Sequence, residues 1–269
     1  MLDLYNCYAY YSIFIGKLHD IIYLMCALYN AIWIKSIFER LRKEIYMVLF
    51  IYGSRAAAVE TYDMVIRNDF FDHRYDFVFF IDDFVEESDY YGTKRIHYES
   101  CKDYLENEDA EFIVAVGEPS VRKLLFDRIK ISGYRIATLI DKTAIVSHSS
   151  TIKEGCIISS GAIVSTNAVI NENCLVMFQA IVGHHANVGA GCVICPQATV
   201  GGFSNVGDET FLGLGSHMIQ NANIGSRAVV GLGAMVFKNV EDDTVVIGNP
   251  ARVTKGNNDN KVFRQSVHE

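Results

Sequence analysis

The chain has 269 residues, half of them hydrophobic, enough for one large domain or two small ones with a sizeable core. Its formal net charge is −8 and it has no long basic run, which argues against a nucleic-acid backbone as partner. With 3 prolines and 20 glycines, the composition is that of a folded chain rather than a disordered one.

Residues 1–46 open with an aromatic segment, followed by an apolar, charge-free stretch from Ile21 to Ile34. A bilayer span needs about 20 such residues, and no basic segment precedes the stretch, so neither a transmembrane helix nor a signal peptide is predicted. Ile34, Ile37, Phe38, Leu41 and Ile45 have helical spacing, with Lys35, Arg40, Arg42 and Lys43 on the other faces. Two readings stay open for this apolar, helical extension: a segment packed on the protein or preceding a true start at Met47, and a helix giving weak association with a membrane surface.

Met47–Tyr52 (MVLFIY) is predicted as a buried strand, ended by Gly53 and followed by a helix over AAAVETYDMVIRN. Asp76–Ile81 and Glu111–Val116 are predicted as further strands, a helix follows from about Ser120 to Ile131, and Arg135–Ile140 is a candidate fourth strand. Strands alternating with helices imply a parallel sheet with right-handed crossovers, a small Rossmann-like domain over 47–140. Ligands bind such sheets at the carboxyl ends of the strands, which here carry Gly53-Ser54-Arg55, Asp82-Asp83 and Gly117-Glu118. No G-x-G-x-x-G follows the first strand, so a packed α/β domain without a ligand stays open as well.

From residue 146 the pattern changes. An aliphatic residue occupies every sixth position from Val146 to Val236, and a small residue follows four places after most of them, as at Ala162, Ala180 and Ala198. Neither a helix nor a plain strand has this period. A six-residue repeat marks a β-helix with one short strand per face and three hexads per 18-residue coil. We therefore predict a left-handed parallel β-helix over 141–254, with aliphatic and small residues inside and a polar tail over 255–269. The α/β domain is expected to cap one end of the coil, and the segment around Asp242–Val253 the other.

The seven cysteines are Cys7, Cys26, Cys101, Cys156, Cys174, Cys192 and Cys195. Cys156, Cys174 and Cys192 lie 18 residues apart, so the coil places them in one internal column without a disulfide or a metal. Cys192-x-x-Cys195 has no matching second pair for zinc. Reduced thiols and a cytoplasmic setting follow.

On these residues the sequence resembles the hexapeptide-repeat sugar acetyltransferases of the sialic-acid O-acetyltransferase and UDP-4-amino-sugar N-acetyltransferase type. The resemblance rests on IYGS at 51–54, FIDDF at 80–84, AVG-x-x-x-V-R-K at 115–123, IVGHH at 181–185 and VIGNPAR at 246–252. It implies a homotrimer with active sites between neighbouring coils, acetyl-CoA as co-substrate with no metal, and a sugar or nucleotide sugar held by the α/β domain. The catalytic His falls on His184, followed by His185 where the family usually has an acidic residue. The sugar-nucleotide contacts fall on Arg55, Ala56, Ala57, Asp82, Asp83 and Gly117. The CoA contacts fall near Val193, Gly202, Leu214 and Leu232, with Val193 in place of a second His.

Acetyl transfer needs a base to take a proton from the attacking amine or hydroxyl, and a neutral imidazole suits that task near pH 7. His184 is expected to face outward, into the cleft. A donor for the oxyanion is expected from a backbone N–H near Gly202. Cys195, predicted outward, stays open as a nucleophile for a ping-pong route. His148, His184 and His217 as metal ligands would parallel the β-helical carbonic anhydrases, but their spacing does not match that family. The expected activity is acetyl-CoA-dependent acylation of a sugar in glycan or surface-polysaccharide biosynthesis. The alternative is a weakly active or inactive trimeric scaffold, favoured by the Arg55-Ala56-Ala57 turn, His185 and Val193.

Overall fold

The computed structural model describes residues 47–68, 74–105 and 109–263. The extension expected over 1–46, with its membrane reading, lies outside the described residues.

Five consecutive apolar residues form β1 (Val48–Tyr52), all buried, at the centre of a six-stranded sheet. β1 pairs in parallel with β2 (Phe77–Ile81) on one side and β5 (Ala110–Val114) on the other. The crossover helix α1 (Ala56–Arg67) buries Ala58, Thr61, Tyr62, Met64 and Val65, one helical face. A second helix, α2 (Pro119–Ile131), starts with proline at its first turn, where no N–H is missed. The sequence reading did not anticipate the edge hairpin of β3 (Ser88–Tyr90) and β4 (Thr93–Ile96). Its turn, Tyr91-Gly92, has φ of 48° and 78° at its two residues, the arrangement that joins twisted strands tightly.

The candidate fourth strand, Arg135–Ile140, is shared between two sheets. Arg135–Ile136 (β6) extends the α/β sheet beside β5, whereas Leu139–Ile140 (β7) begins the coil.

From β7 onward the chain winds as a three-faced parallel coil of two-residue strands. Face 1 includes Leu139, Ile157, Leu175, Val193, Phe211 and Val229. Face 2 runs through Ile145, Ile163, Ile181, Thr199, His217 and Met235. Face 3 runs through Thr151, Val169, Asn187, Asn205 and Asn223. These first residues of each strand point outward, and the second residues, from Ile158 to Val236, fill the interior together with the small residues. At the third corner residue of most turns the backbone takes φ near +55° to +62°, as at Asn167, His185, Phe203 and Asn221. Asn suits this left-handed conformation, whereas a β-branched residue would be strained there.

The cysteine column forms as the spacing predicts. Cys156, Cys174 and Cys192 are buried free thiols whose Sγ–H groups each donate 3.0 Å to the carbonyl fifteen residues on, in Asn171, Gly189 and Gly207. Thr210, next in the column, donates to Gly225 in the same way. The column thus satisfies a corner carbonyl in successive coils while filling space as small apolar groups would.

The α/β domain does more than cap the coil. α1 lies against Ile157, Leu175 and Met177 on the outside of face 1 and at its edge, where a small cavity separates them. Arg122 of α2 is fully buried and reaches the coil, where it donates to the carbonyl and side-chain oxygens of Asn173; it also donates to the carbonyls of Val114 and Val116. Asp141, 1% exposed at the start of the coil, accepts from Arg67, Asn68, Thr143 and Ser160. At the far end, β24 (Thr244–Ile247) adds to face 1 and turns back as β25 (Arg252–Gly256). The chain then returns along face 1. Asn260 donates to Glu209, Phe263 meets Phe211 edge to face, and the N–H groups of Val262 and Phe263 donate to the Glu118 carboxylate. The last six residues of the expected polar tail lie outside the described residues.

Candidate functional site

His184 and His185 sit at the corner between faces 2 and 3, in the turn after β14 (Ile181–Val182). The His184 ring leaves the coil sideways, as expected, and is half-buried beside Gly202 of the next coil. A methyl at Gly202 would lie 2.8 Å from both Cε1 and Nε2 of His184, so the absence of a side chain there makes room for that ring edge. The Phe203 N–H donates to the His184 carbonyl at 2.9 Å, and the Phe203 ring meets His184 edge to face at 4.9 Å. The same ring stacks on His185 at 4.6 Å and 17°. Nδ1 of His184 lies 3.3 Å from Nδ1 of His185, whose Nε2 lies 3.1 Å from Nδ2 of Asn167. Sequence reading missed Phe203 and Asn167. Both lie 18 residues from His185, so the coil period was the signal that could have found them.

The four residues expected to contact CoA divide. Gly202 lies with His184. Leu214 and Leu232 are 57% and 80% exposed at the corner between faces 1 and 2, on the opposite edge of face 2. Val193 departs from the expectation: it is 1% exposed in the face 1 cluster with Leu175 and Phe211 and presents no surface to a ligand. Cys195 is also a correction. Its position after the face 1 strand is roofed over, leaving it 5% exposed, and burial pushes its thiol up to about 12. A thiol held protonated and covered in this way is a poor nucleophile.

At the carboxyl edge of the α/β sheet, Gly53 has φ +127°, and a Cβ there would meet the Ala115 carbonyl at 2.8 Å. Only glycine fits this turn. Ser54 Oγ–H donates to Asp82, whose other oxygen accepts the Phe84 N–H at 3.0 Å, so Asp82 ties the loop after β2 to the turn before α1. Arg55 and Ala56 are exposed at the start of α1, with Ala57 half-buried behind them. Their N–H groups stand at the positive end of a helix, a setting that favours an anion.

Asp83 does not join them. Its carboxylate accepts from the Tyr52 hydroxyl at 2.6 Å, the Tyr98 N–H at 2.8 Å and Arg128 at 2.6 Å. Burial raises its pKa, but these bonds outweigh burial and hold the carboxyl below its usual range. Three donors from its own chain thus hold this carboxylate in place, although the residue stays exposed. Gly117 is half-buried at the end of β5, and a Cβ there would lie 3.9 Å from the ring of Phe263. Among the described residues no group of three His, Cys, Asp or Glu side chains is arranged to hold a metal ion, and no helix is long and apolar enough to cross a membrane.

Residues 48–129 match the family described as the PglD N-terminal domain. That domain and the coil together match a perosamine N-acetyltransferase mutant of Caulobacter crescentus, solved with CoA and GDP-perosamine, at 23% identity and a TM-score of 0.72 over 78% of this chain and 98% of that one. They also match the acetyltransferase domain of PglB from Neisseria gonorrhoeae at 25% identity and a TM-score of 0.70, over 77% and 99% of the two chains. WeeI of Acinetobacter baumannii matches at 22% identity and a TM-score of 0.71, over 77% and 100%. Among curated proteins none matches. The match of residues 48–129 to that family, followed by a left-handed β-helix, bears out the resemblance to the hexapeptide-repeat sugar acetyltransferases read from the sequence.

Proposed function

We propose that this protein transfers the acetyl group of acetyl-CoA to an amino or hydroxyl group of a sugar or nucleotide sugar in glycan or surface-polysaccharide assembly, in the cytoplasm, with His184 as general base. One observation carries this reading: the Cε1–Nε2 edge of His184 projects beside a glycine that leaves it room. Nε2 takes the proton from the acceptor amine or hydroxyl as that group attacks the thioester carbonyl, and the proton passes on to the departing thiolate. A backbone N–H near Gly202 would stabilise the oxyanion. The substrate phosphates would meet the N–H groups of Arg55, Ala56 and Ala57, with Asp82 holding the turn in place and Gly117 lining the same sheet edge. Support comes from the Caulobacter structure, described as a complex with CoA and GDP-perosamine, and from the Neisseria acetyltransferase domain, also described in complex with acetyl coenzyme A.

The split of the CoA residues supports a homotrimer. His184 and Gly202 stand at one edge of face 2, while Leu214 and Leu232 stand at the other, so one chain cannot enclose acetyl-CoA with both pairs. Threefold packing sets one edge against the opposite edge of a neighbour. Exposed apolar residues on face 2, Ile145 at 64% and Ile181 at 37%, fit a buried contact between subunits. The internal engagement of Asp83 and the burial of Val193 favour the second reading, a scaffold that binds without turnover.

Thiol release from acetyl-CoA, measured against a panel of amino-sugar nucleotides, separates the two. The enzyme reading expects turnover with at least one of them and a loss of about 10²–10⁴-fold in kcat/KM for His184→Ala, with acetyl-CoA binding retained. An undiminished His184→Ala variant, or full activity in a monomer, would refute it.

A further inference from the structure

Neutral imidazole carries one N–H and one lone pair, so a row of rings in contact can hold only one alternating pattern at a time. Such a row runs through this corner, from His184 Nδ1 to His185 Nδ1 at 3.3 Å and from His185 Nε2 to the Asn167 amide at 3.1 Å. Three successive coils build it, because Asn167, His185 and Phe203 occupy the same corner position. The Asn167 N–H donates to Ser149 Oγ, and Phe203 stacks on the His185 ring, which fixes both ends of the contact.

With the amide nitrogen of Asn167 donating, His185 accepts at Nε2 and donates from Nδ1. His184 then accepts at Nδ1 and keeps its own proton on Nε2, where it cannot act as a base. Turning the amide end for end places Oδ1 against His185. His185 now donates from Nε2 and accepts at Nδ1, His184 donates from Nδ1, and Nε2 bears a lone pair. Each pattern holds two protons on the two rings, so they differ only in proton positions and the amide turn. After Nε2 takes the substrate proton, the second pattern lets the imidazolium donate from Nδ1 through His185 to a carbonyl oxygen.

We propose that Asn167 is a positioning residue. The orientation of its amide, relayed through His185, decides whether His184 presents a lone pair or an N–H at Nε2. This inference rests on the reading of His184 as the base, and it places the neutral pair His185–Asn167 where the resemblance would put an acidic residue.

The test uses full-length protein with ¹⁵N-labelled histidine at pH 8, where long-range ¹H–¹⁵N spectra distinguish the two tautomers of each ring, alongside steady-state kinetics. Asn167→Gly removes the side chain while allowing the φ of 56° at that position, and Asn167→Asp offers only acceptors in the same backbone conformation. Asn167→Gly should change the His184 tautomer ratio and lower kcat by about 10-fold, the usual cost of losing a partner that orients a functional histidine, with the KM for acetyl-CoA unchanged. Asn167→Asp should drive His184 to the Nδ1–H form and restore kcat to at least the wild-type value. Identical His184 spectra in the three proteins, or an unchanged kcat in Asn167→Gly, would overturn the relay. An active His184→Ala variant alongside the tautomer shift would instead remove the base and leave the relay standing.

Discussion

Gly202→Ala separates the site from the scaffold. The added methyl would sit 2.8 Å from Cε1 and Nε2 of His184, where ordinary carbon contact is about 3.5–4.0 Å. The imidazole must therefore retreat by roughly 0.7 Å or more. The obstacle is the far end of a side chain at a partly open corner, so the ring swings aside at a rotamer cost of about 0.5–1.5 kcal/mol. Misplacing a catalytic group by about 1 Å can cost about 10²-fold, so kcat/KM should fall by about 10–10²-fold. Gly201→Ala is the matched control. Its methyl would meet backbone, 2.5 Å from Gln220 N and Ile219 C, and could be relieved only by spreading two coils. That variant should lose about 1–3 kcal/mol or more of stability, visible as a drop of several degrees in melting temperature. Thiol-release kinetics and calorimetry on both proteins read the two effects. A Gly202→Ala enzyme within threefold of wild type, or one that melts below Gly201→Ala, would show that this ring position does not govern activity.

Arg122→Met should lower stability by about 2–5 kcal/mol, because the Asn173 and Val114 acceptors lose a charged donor in a dry interface; a melting point unchanged within about 2 °C would contradict this. Asp141→Asn tests a pH dependence. Burial raises the Asp141 pKa, but its hydrogen bonds from Thr143, Arg67 and Asn68 prevail and hold the carboxyl well below its usual range. Its stabilisation is present above the unfolded pKa of about 4 and fades as pH falls below it, so denaturant titrations of wild type and variant should converge in acid. Cys195 should resist iodoacetamide at pH 8 in the native protein and react once unfolded, as peptide mass spectrometry would show. Its buried thiol also costs the fold stability as pH rises from 9.0, where the unfolded thiol ionises, towards about 12.

The coil was legible because its interior accepts only two kinds of residue, which recur without a gap from Val146 to Val236. The same rule placed the cysteine column. It said less about the outside, where what covers a face depends on the rest of the chain. Cys195 was predicted outward, and the resemblance put a CoA contact near Val193, because nothing local reveals that the returning segment and the α/β domain cover face 1. Asp83 looked like a ligand beside Asp82, but partners 15 and 45 residues away, Tyr98 and Arg128, claim it. Arg135–Ile140 reads as one strand because neither half contains a break, yet two sheets compete for it. The hairpin over 88–96 was missed because its strands are short, polar and at an edge, although Tyr91-Gly92 marks the turn.

A coil whose turns touch only their neighbours should melt like a zipper, fraying from its free end one turn at a time. The return of residues 257–263 to Glu118 removes that free end. The bonds from Val262 and Phe263 span 144 and 145 residues and close the described chain into a loop, with the last turns and the α/β domain as its two ends. Contacts of such separation form late and slow the search for the native state, but they also let the ends share their stability. The closing carboxylate belongs to Glu118, next to Gly117 at the carboxyl edge of the sheet, so order at the far end of the solenoid is mechanically linked to the loop after β5.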